Sequence, residues 1–324
     1  MKVGADQTPI QTQQYRVKLF LRRIISRTLH NAVNELLASL KSRVPRWEGA
    51  ACVDTKRTGE SHLGVFGLFD VHFGKLCWRA ETGSDYDLKI AEVVFRNAVE
   101  DLLTESAHRK LEQIVLPLGN DWLHIDNRRS ETTRGTRQDV DGRFSKVFAT
   151  AKLAALWAVE RLAETAPVHV IWVPGNHDQT LSEMLCHIVE ARFHKAKHVT
   201  VDLTPPDRKY YRWKSTLLGL THGDKVSQED LPGKMAAESH QDWANTRCRE
   251  WLIGHQHRSR KWVTKSTDTF DGTVVRVLQS LAGTDAWHYE MGYINTRRAA
   301  EVYWYGAERG YAGHAVVGVR EEGK

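Results

Sequence analysis

No stretch of this chain runs to the roughly 18 uninterrupted apolar residues that a membrane-spanning helix needs, so no membrane partner is expected. The N-terminus lacks the short apolar core of a secretory signal. Cysteine is scarce: there are four, Cys52, Cys77, Cys186 and Cys248, and no two stand at C-x-x-C spacing. That excludes a zinc ribbon and a thioredoxin-like motif, and reduced thiols in a cytoplasmic protein are the simplest reading. There is no internal repeat and no low-complexity tract. What is present is ordinary for a globular chain: 324 residues, 41% hydrophobic and 27% charged, enough for a sizeable core. The formal net charge of +6 suits a polyanionic partner and equally a solvated surface.

Along residues 13–42, Val17, Phe20, Leu21, Ile24, Ile25, Leu29, Val33, Leu36, Leu37 and Leu40 recur at the three- and four-residue steps of an amphipathic helix, which Pro45 stops. Arg16, Lys18, Arg22, Arg23 and Arg27 accompany the stripe. The first 30 residues, Arg-rich and poor in acids, faintly resemble a mitochondrial transit peptide, but they fit a structural helix better. Such a helix packs on the main domain or on a partner subunit, as in a homodimer; the alternative is a basic arm that touches nucleic acid. Residues 46–61 are polar and read as a linker. The chain therefore divides into a helix and linker over 1–61 and one domain over 62–324. In that domain strands are expected at 62–69, 113–118, 168–173, 216–221, 251–253, 274–278, 300–305 and 315–319, and helices at 87–103, 146–164 and 181–194. The alternation predicts an α/β domain whose sheet is covered by helices.

Five polar motifs each follow an apolar strand, where ligands gather in α/β sheets. Asp70-Val71-His72-Phe73-Gly74-Lys75 comes first, and an extended backbone would point Asp70 and His72 the same way. Gly119-Asn120-Asp121-Trp122-Leu123-His124 follows, with a carboxylate whose two oxygens can serve two ions. The third is Gly175-Asn176-His177-Asp178, the fourth His222-Gly223-Asp224, and the fifth Gly254-His255-Gln256-His257. Each has a plain alternative taken alone: a capping Asp, a turn Asn after Gly175, exposed turn histidines. Chance does not readily assemble all five in this order.

In that order the motifs resemble the calcineurin-like metallophosphoesterase superfamily, whose pattern reads D-x-H, G-D, G-N-H-D/E, H and G-H-x-H. The likeness covers residues 62 to about 260, with roughly 30 to 55 residues between motifs, and leaves the N-terminal 60 outside. It implies an α/β fold, a four-layer α/β/β/α sandwich of two facing mixed sheets flanked by helices, and a metal-dependent hydrolase of phosphate esters. By the resemblance Asp70, His72 and His257 hold one metal ion, Asn176, His222 and His255 hold a second, and Asp121 bridges them. Carboxylates, imidazoles and an amide suit two divalent first-row ions, manganese foremost with iron or zinc as options, and not calcium. Two ions about 3.5–4 Å apart activate a water for attack on phosphorus, and His177 is the candidate to protonate the leaving oxygen. One departure stands out: Asn120 separates Gly119 from Asp121, where the family has Gly directly before its bridging Asp. Either residue can occupy the bridging place; Asp121 is preferred, because a neutral amide bridges two cations poorly.

The substrate is less sharply written. A long polar loop over 122–143 carries Arg128, Arg129, Arg134 and Arg137 beside the second motif. Arginines there suit phosphate oxygens, the alternative being a solvated loop. Asp121-Trp122-Leu123-His124, followed by Asn127 and Arg128, resembles DNA-repair nucleases of the SbcD exonuclease type and uncharacterised phosphoesterases of bacteria and phages; the former imply that His124 assists phosphodiester cleavage. Trp287, His288, Tyr289, Arg297, Arg298, Tyr303, Trp304 and Tyr305 mix aromatics with arginines, as core residues or as a base-stacking surface. The expected activity is a phosphodiesterase or nuclease with nucleic acid, DNA, as substrate. The alternatives are a small-molecule phosphatase or cyclic-nucleotide phosphodiesterase, and a non-catalytic scaffold, which the full set of ligand candidates disfavours.

Overall fold

Alternate residues of the central strands go to different cores, and that alternation sets the layers. The computed structural model describes residues 59–255, 267–290 and 297–320. The elements run β1 (Ser61–Gly67), α1 (Arg79–Thr82), α2 (Leu88–Glu105), β2 (Lys110–Gly119), α3 (Phe144–Ala163), β3 (Val168–Val173), α4 (Gln179–Phe193), β4 (Val199–Asp202), β5 (Lys209–Trp213), β6 (Thr216–Thr221), α5 (Leu231–Glu238), α6 (His240–Ala244), β7 (Cys248–Ile253), β8 (Thr267–Phe270), β9 (Thr273–Val277), α7 (Ala286–Glu290), β10 (Ala299–Gly306) and β11 (Gly310–Gly318). One sheet has the order β11-β10-β1-β2-β3-β4 and the other β5-β6-β7-β9-β8. Both are mixed: β1 to β4 are parallel with β10 and β11 antiparallel beside them, while β6, β7 and β9 are parallel between antiparallel edges.

On β2, Ile114, Leu116 and Leu118 face a core shared with the helices, while Val115 faces the opposite way. On β3, Val168, Val170 and Trp172 join the helix side, and Ile171 and Val173 join the other. That second core also takes Leu218, Leu220 and Leu252 from β6 and β7, so it lies between the sheets. Leu217, Trp251, Ile253 and Val275 turn outward to meet Leu231 and Met235 of α5. The result is the expected α/β/β/α sandwich. Buried strands of this kind read as near-continuous apolar runs, because both faces are covered.

The helices fit their sheet by face and by cap. α2 buries Leu88, Ala91, Val94, Phe95, Ala98, Val99, Leu102 and Leu103 at helical spacing, and the Asp87 carboxylate accepts from Ile90 N at 2.7 Å. α3 turns a face of small residues, Ala151, Ala154, Ala155 and Ala158, into the same core. The helix expected over 13–42 and most of the linker lie outside the described residues, as does any homodimer contact through them. Among the described residues no helix is long and apolar enough to cross a membrane. Cys77, Cys186 and Cys248 are free thiols. The C-terminal aromatics divide: Tyr303, Trp304 and Tyr305 are buried on β10, whereas Trp287 and Tyr289 stand half exposed on α7.

Candidate metal centre

β1, β2 and β3 end at Gly67, Gly119 and Val173, and β6 and β7 at Thr221 and Ile253. Each is followed at once or within a few residues by one of the five motifs. The backbone there is unusual: among the described residues, five of the eight non-glycine positions with positive φ are Asp70, His72, Asn120, Asp121 and His255. Clustering of left-handed backbone is a recurrent mark of functional sites. It also corrects the expectation that Asp70 and His72 lie on an extended segment. β1 stops at Gly67, and both residues adopt left-handed conformations, φ 51° and 50°. The loop instead runs beside the one after β2, with Asp70 N, His72 N and Phe73 N donating to the carbonyls of Asn120, Asp121 and Trp122.

Glycines allow the loops to close on each other. A Cβ on Gly175 would sit 2.1 Å from Asp121 Oδ1 and 2.3 Å from its backbone N. A Cβ on Gly254 would sit 2.7 Å from Asp70 Oδ2, the oxygen that accepts from His255 N at 3.2 Å.

The side chains form overlapping groups able to hold metal ions. Asp70, His72 and Asp121 make one group, and Asp121, His222 and His255 another, the ligand atoms of each lying within 4.8 Å of one another. Asp121 is common to both. Its Oδ2 is 3.9 Å from His72 Nε2 and 3.2 Å from His222 Nε2, while its Oδ1 accepts from His177 N at 2.9 Å. Asn176 Oδ1 reaches the same His222 Nε2 at 2.7 Å. Asn120 takes a different place, with its Oδ1 2.5 Å from the opposite ring nitrogen, His222 Nδ1. His72, His124 and His177 make a third group, not anticipated as such. His257 lies outside the described residues.

Burial and close opposite charges shift the titrating groups of the site strongly. Burial works against the His222 imidazolium, yet the Asp121 carboxylate and its hydrogen bond, with Asp70 and Asp224 nearby, push its pKa up to about 9. Burial also opposes the Asp121 charge, but the His222 and His177 rings override it and hold the carboxyl well below its usual range. Burial and the charge of His222 bring His255 down to about 4. Asp178, wholly buried, is pushed well up by desolvation and by Asp121. The oxygens around His222 Nε2 thus hold a proton on it; a divalent cation satisfies the same lone pairs with more charge. Carboxylate, imidazole and amide donors at these separations fit such an ion.

A surrounding tier was less visible in the sequence. Asp178 Oδ2 accepts from Leu123 N at 2.8 Å, tying the third motif to the second. Lys75, buried, pairs with Asp285 at 2.9 Å, and both act on the buried His124, whose pKa desolvation and the His177 charge lower well below normal. The arginine loop is tied down by Asp126: Oδ1 accepts from Leu181 N at 2.7 Å, and Oδ2 from Thr180 N at 3.1 Å and Thr133 Oγ1 at 2.9 Å. All four arginines are exposed, and the structure separates them. Arg134 approaches Asp224 of the fourth motif at 3.8 Å, Arg128 lies over Phe144 at 5.0 Å, and Arg129 and Arg137 sit in the loop's own turns.

No protein-family model matches the chain, and no curated protein matches it. The molecule shows two clustered His/Asp sites, sharing one carboxylate, on an α/β/β/α sandwich. These support the calcineurin-like metallophosphoesterase superfamily, a dinuclear divalent-metal cofactor and a metal-dependent hydrolase.

Proposed function

We propose that the chain is a two-metal phosphodiesterase that cleaves DNA. The observation that carries the reading is Asp121, one buried carboxylate standing in both ligand groups. In this reading Asp70 and His72, with His257, would hold one ion, Asn176, His222 and His255 would hold the other, and Asp121 would serve both. Bound, a pair of divalent ions, manganese foremost, activates water and neutralises charge on the phosphoryl oxygens.

The protein's own groups handle the proton and the substrate. His177 Nδ1 lies 3.0 Å from the carbonyl oxygen of His124, which only accepts, so that nitrogen carries a proton. Nε2 is then the nitrogen that exchanges a proton with the leaving oxygen. The His124 ring stacks on it with centroids 5.1 Å apart, and burial foremost lowers the His124 pKa well below its ordinary value, which favours the neutral ring. His72 Nδ1 and His124 Nδ1 are 3.3 Å apart, so one donates to the other and both rings are fixed in angle. Arg134, with Arg128, Arg129 and Arg137 elsewhere on the loop, supplies cationic contacts to a polyanion. Four exposed arginines on a loop pinned beside the site favour DNA over a small phosphate ester.

The test is hydrolysis of bis-p-nitrophenyl phosphate, p-nitrophenyl phosphate and labelled single- and double-stranded DNA, with manganese and with chelator, over a salt series. The reading predicts metal-dependent diester and DNA cleavage, with DNA binding that weakens steeply as salt rises. Monoester cleavage alone would replace it with a phosphatase acting on small molecules.

A further inference from the structure

Asn120 stands where the resembled family has glycine, and nothing in the reaction described above uses its side chain. Three features make its presence informative. It is completely buried, and its backbone is left-handed with φ 55°, a conformation glycine would adopt at less cost. Its Nδ2 has no hydrogen-bond partner among the described residues, so the amide is kept although half of it is unsatisfied. Its Oδ1, by contrast, makes a short contact of 2.5 Å with His222 Nδ1.

The direction of that contact matters. An amide oxygen only accepts, so His222 Nδ1 must donate. The other ring nitrogen, Nε2, is the one that meets Asn176 Oδ1 at 2.7 Å and Asp121 Oδ2 at 3.2 Å. A ring with its proton fixed on Nδ1 presents a lone pair on Nε2 once the second proton is displaced. A ring free to choose could keep its proton on Nε2 and present the wrong nitrogen. Metal-binding imidazoles generally depend on such a partner for tautomer and angle.

We propose that Asn120 is a positioning residue that holds His222 in its metal-binding tautomer and orientation, so that the chain replaces a glycine of the resembled pattern with a built-in support for its second ion. The inference rests on the two-metal reading and deepens it. It also separates the roles of the two adjacent residues: Asp121 lies on the Nε2 side of His222, and Asn120 acts on the Nδ1 side.

The experiment is a manganese titration of the metal-free protein, following free ion by electron paramagnetic resonance, on wild type, Asn120→Gly and Asn120→Asp. Metal-free melting curves are recorded alongside. Wild type is expected to take up two ions. Asn120→Gly, which relieves the backbone, should melt near wild type and bind one ion normally and the other about 10–100-fold more weakly. Asn120→Asp, near-isosteric and still an acceptor, should bind both at least as well as wild type. Two wild-type affinities in Asn120→Gly, or an Asn120→Asp as weak as Asn120→Gly, would overturn the proposal. A second measurement needs no variant: zinc-loaded wild type should show a protected, strongly deshielded Nδ1 proton on His222, and a ring without it would also overturn the proposal. A wild type that binds fewer than two ions would instead bring down the two-metal reading itself.

Discussion

Asp121 combines two tasks at the scale of one side chain. One oxygen stands among His72 and His222, and the other receives the His177 backbone N–H. Asp121→Asn keeps the shape and an acceptor for that N–H but removes the charge two cations would share. It should retain the fold, lose uptake of at least one ion, and drop kcat/KM by about 10³-fold, the upper end for losing one charge-stabilising group. Full activity in that variant would show that the bridging place belongs elsewhere. His177→Ala should behave differently: both ions stay bound while kcat falls roughly 10²–10⁴-fold, the range for a general acid. Loss of metal together with activity would make His177 a ligand, a role its membership of the third histidine group leaves open to test. Gly175 is the complementary case, since it has no chemistry to lose. A methyl group there meets Asp121 Oδ1 at 2.1 Å and its backbone N at 2.3 Å. Gly175→Ala should therefore displace Asp121, costing about 1–3 kcal/mol in a denaturant melt as an overpacked site does, and weaken both ions at once.

Among the elements, the arginine loop and α4 work as one unit. The first turn of a helix leaves its N–H groups without partners, and at α4 the carboxylate of Asp126 takes those of Thr180 and Leu181 from across the fold. Thr133 Oγ1 joins them, donating to Asp126 and accepting from Gln179 N at 3.1 Å. Asp126→Ala should cost about 0.5–2 kcal/mol, the range for losing a cap. It should also raise KM for DNA more than it lowers kcat, because the freed loop no longer presents Arg134 beside the site. An unchanged KM would mean that the loop's order is irrelevant to substrate. Nothing local in the sequence announces this cap, whose partners are 55 residues apart. The same holds for Asn120 and His222, separated by 102. By contrast β1, β2, β3, β6 and β7 were legible, because strands buried on both faces leave unbroken apolar runs, and the five motifs were legible because each is contiguous. β4, β5 and β8 were not: all three are edge strands of mixed burial, and β5, Lys-Tyr-Tyr-Arg-Trp, also carries two cations in five residues. α5 was hidden by the Pro232-Gly233 pair in its first turn, which reads as a turn until Leu231 and Met235 are seen under the second sheet.

For the molecule as a whole, the site exists only while the two sheets keep their relative position. Asp70, His72, Asp121 and Asn176 follow strands of the first sheet, whereas His222 and His255 follow strands of the second. An apolar layer joins them, and a polar tie crosses it. Glu250 of β7 takes Arg276 Nε of β9 at 2.7 Å and Tyr305 OH of β10, in the other sheet, at 3.0 Å, both on the same oxygen. Both charged partners are buried, and Arg276 also lies over the ring of Tyr303 at 5.2 Å. A buried pair is costly to break from one side, because the remaining charge keeps its desolvation penalty without compensation. Glu250→Leu should therefore destabilise by about 3–5 kcal/mol in equilibrium unfolding. The double variant Glu250→Leu/Arg276→Met, with no stranded charge, should recover most of that loss. Metal ions held across the same two sheets should act in the same direction: at a free concentration about 100 times Kd, binding adds about 2.7 kcal/mol. The two ties are then separable by experiment. If both restrain the sheets, chelation lowers the melting temperature of wild type and double variant alike, but the double variant also binds the second ion more weakly, since His222 and His255 have lost a fixed distance from Asp121. If its ion affinities match wild type, the apolar layer alone sets the spacing of the site, and the Glu250 tie contributes to stability without contributing to the metal centre.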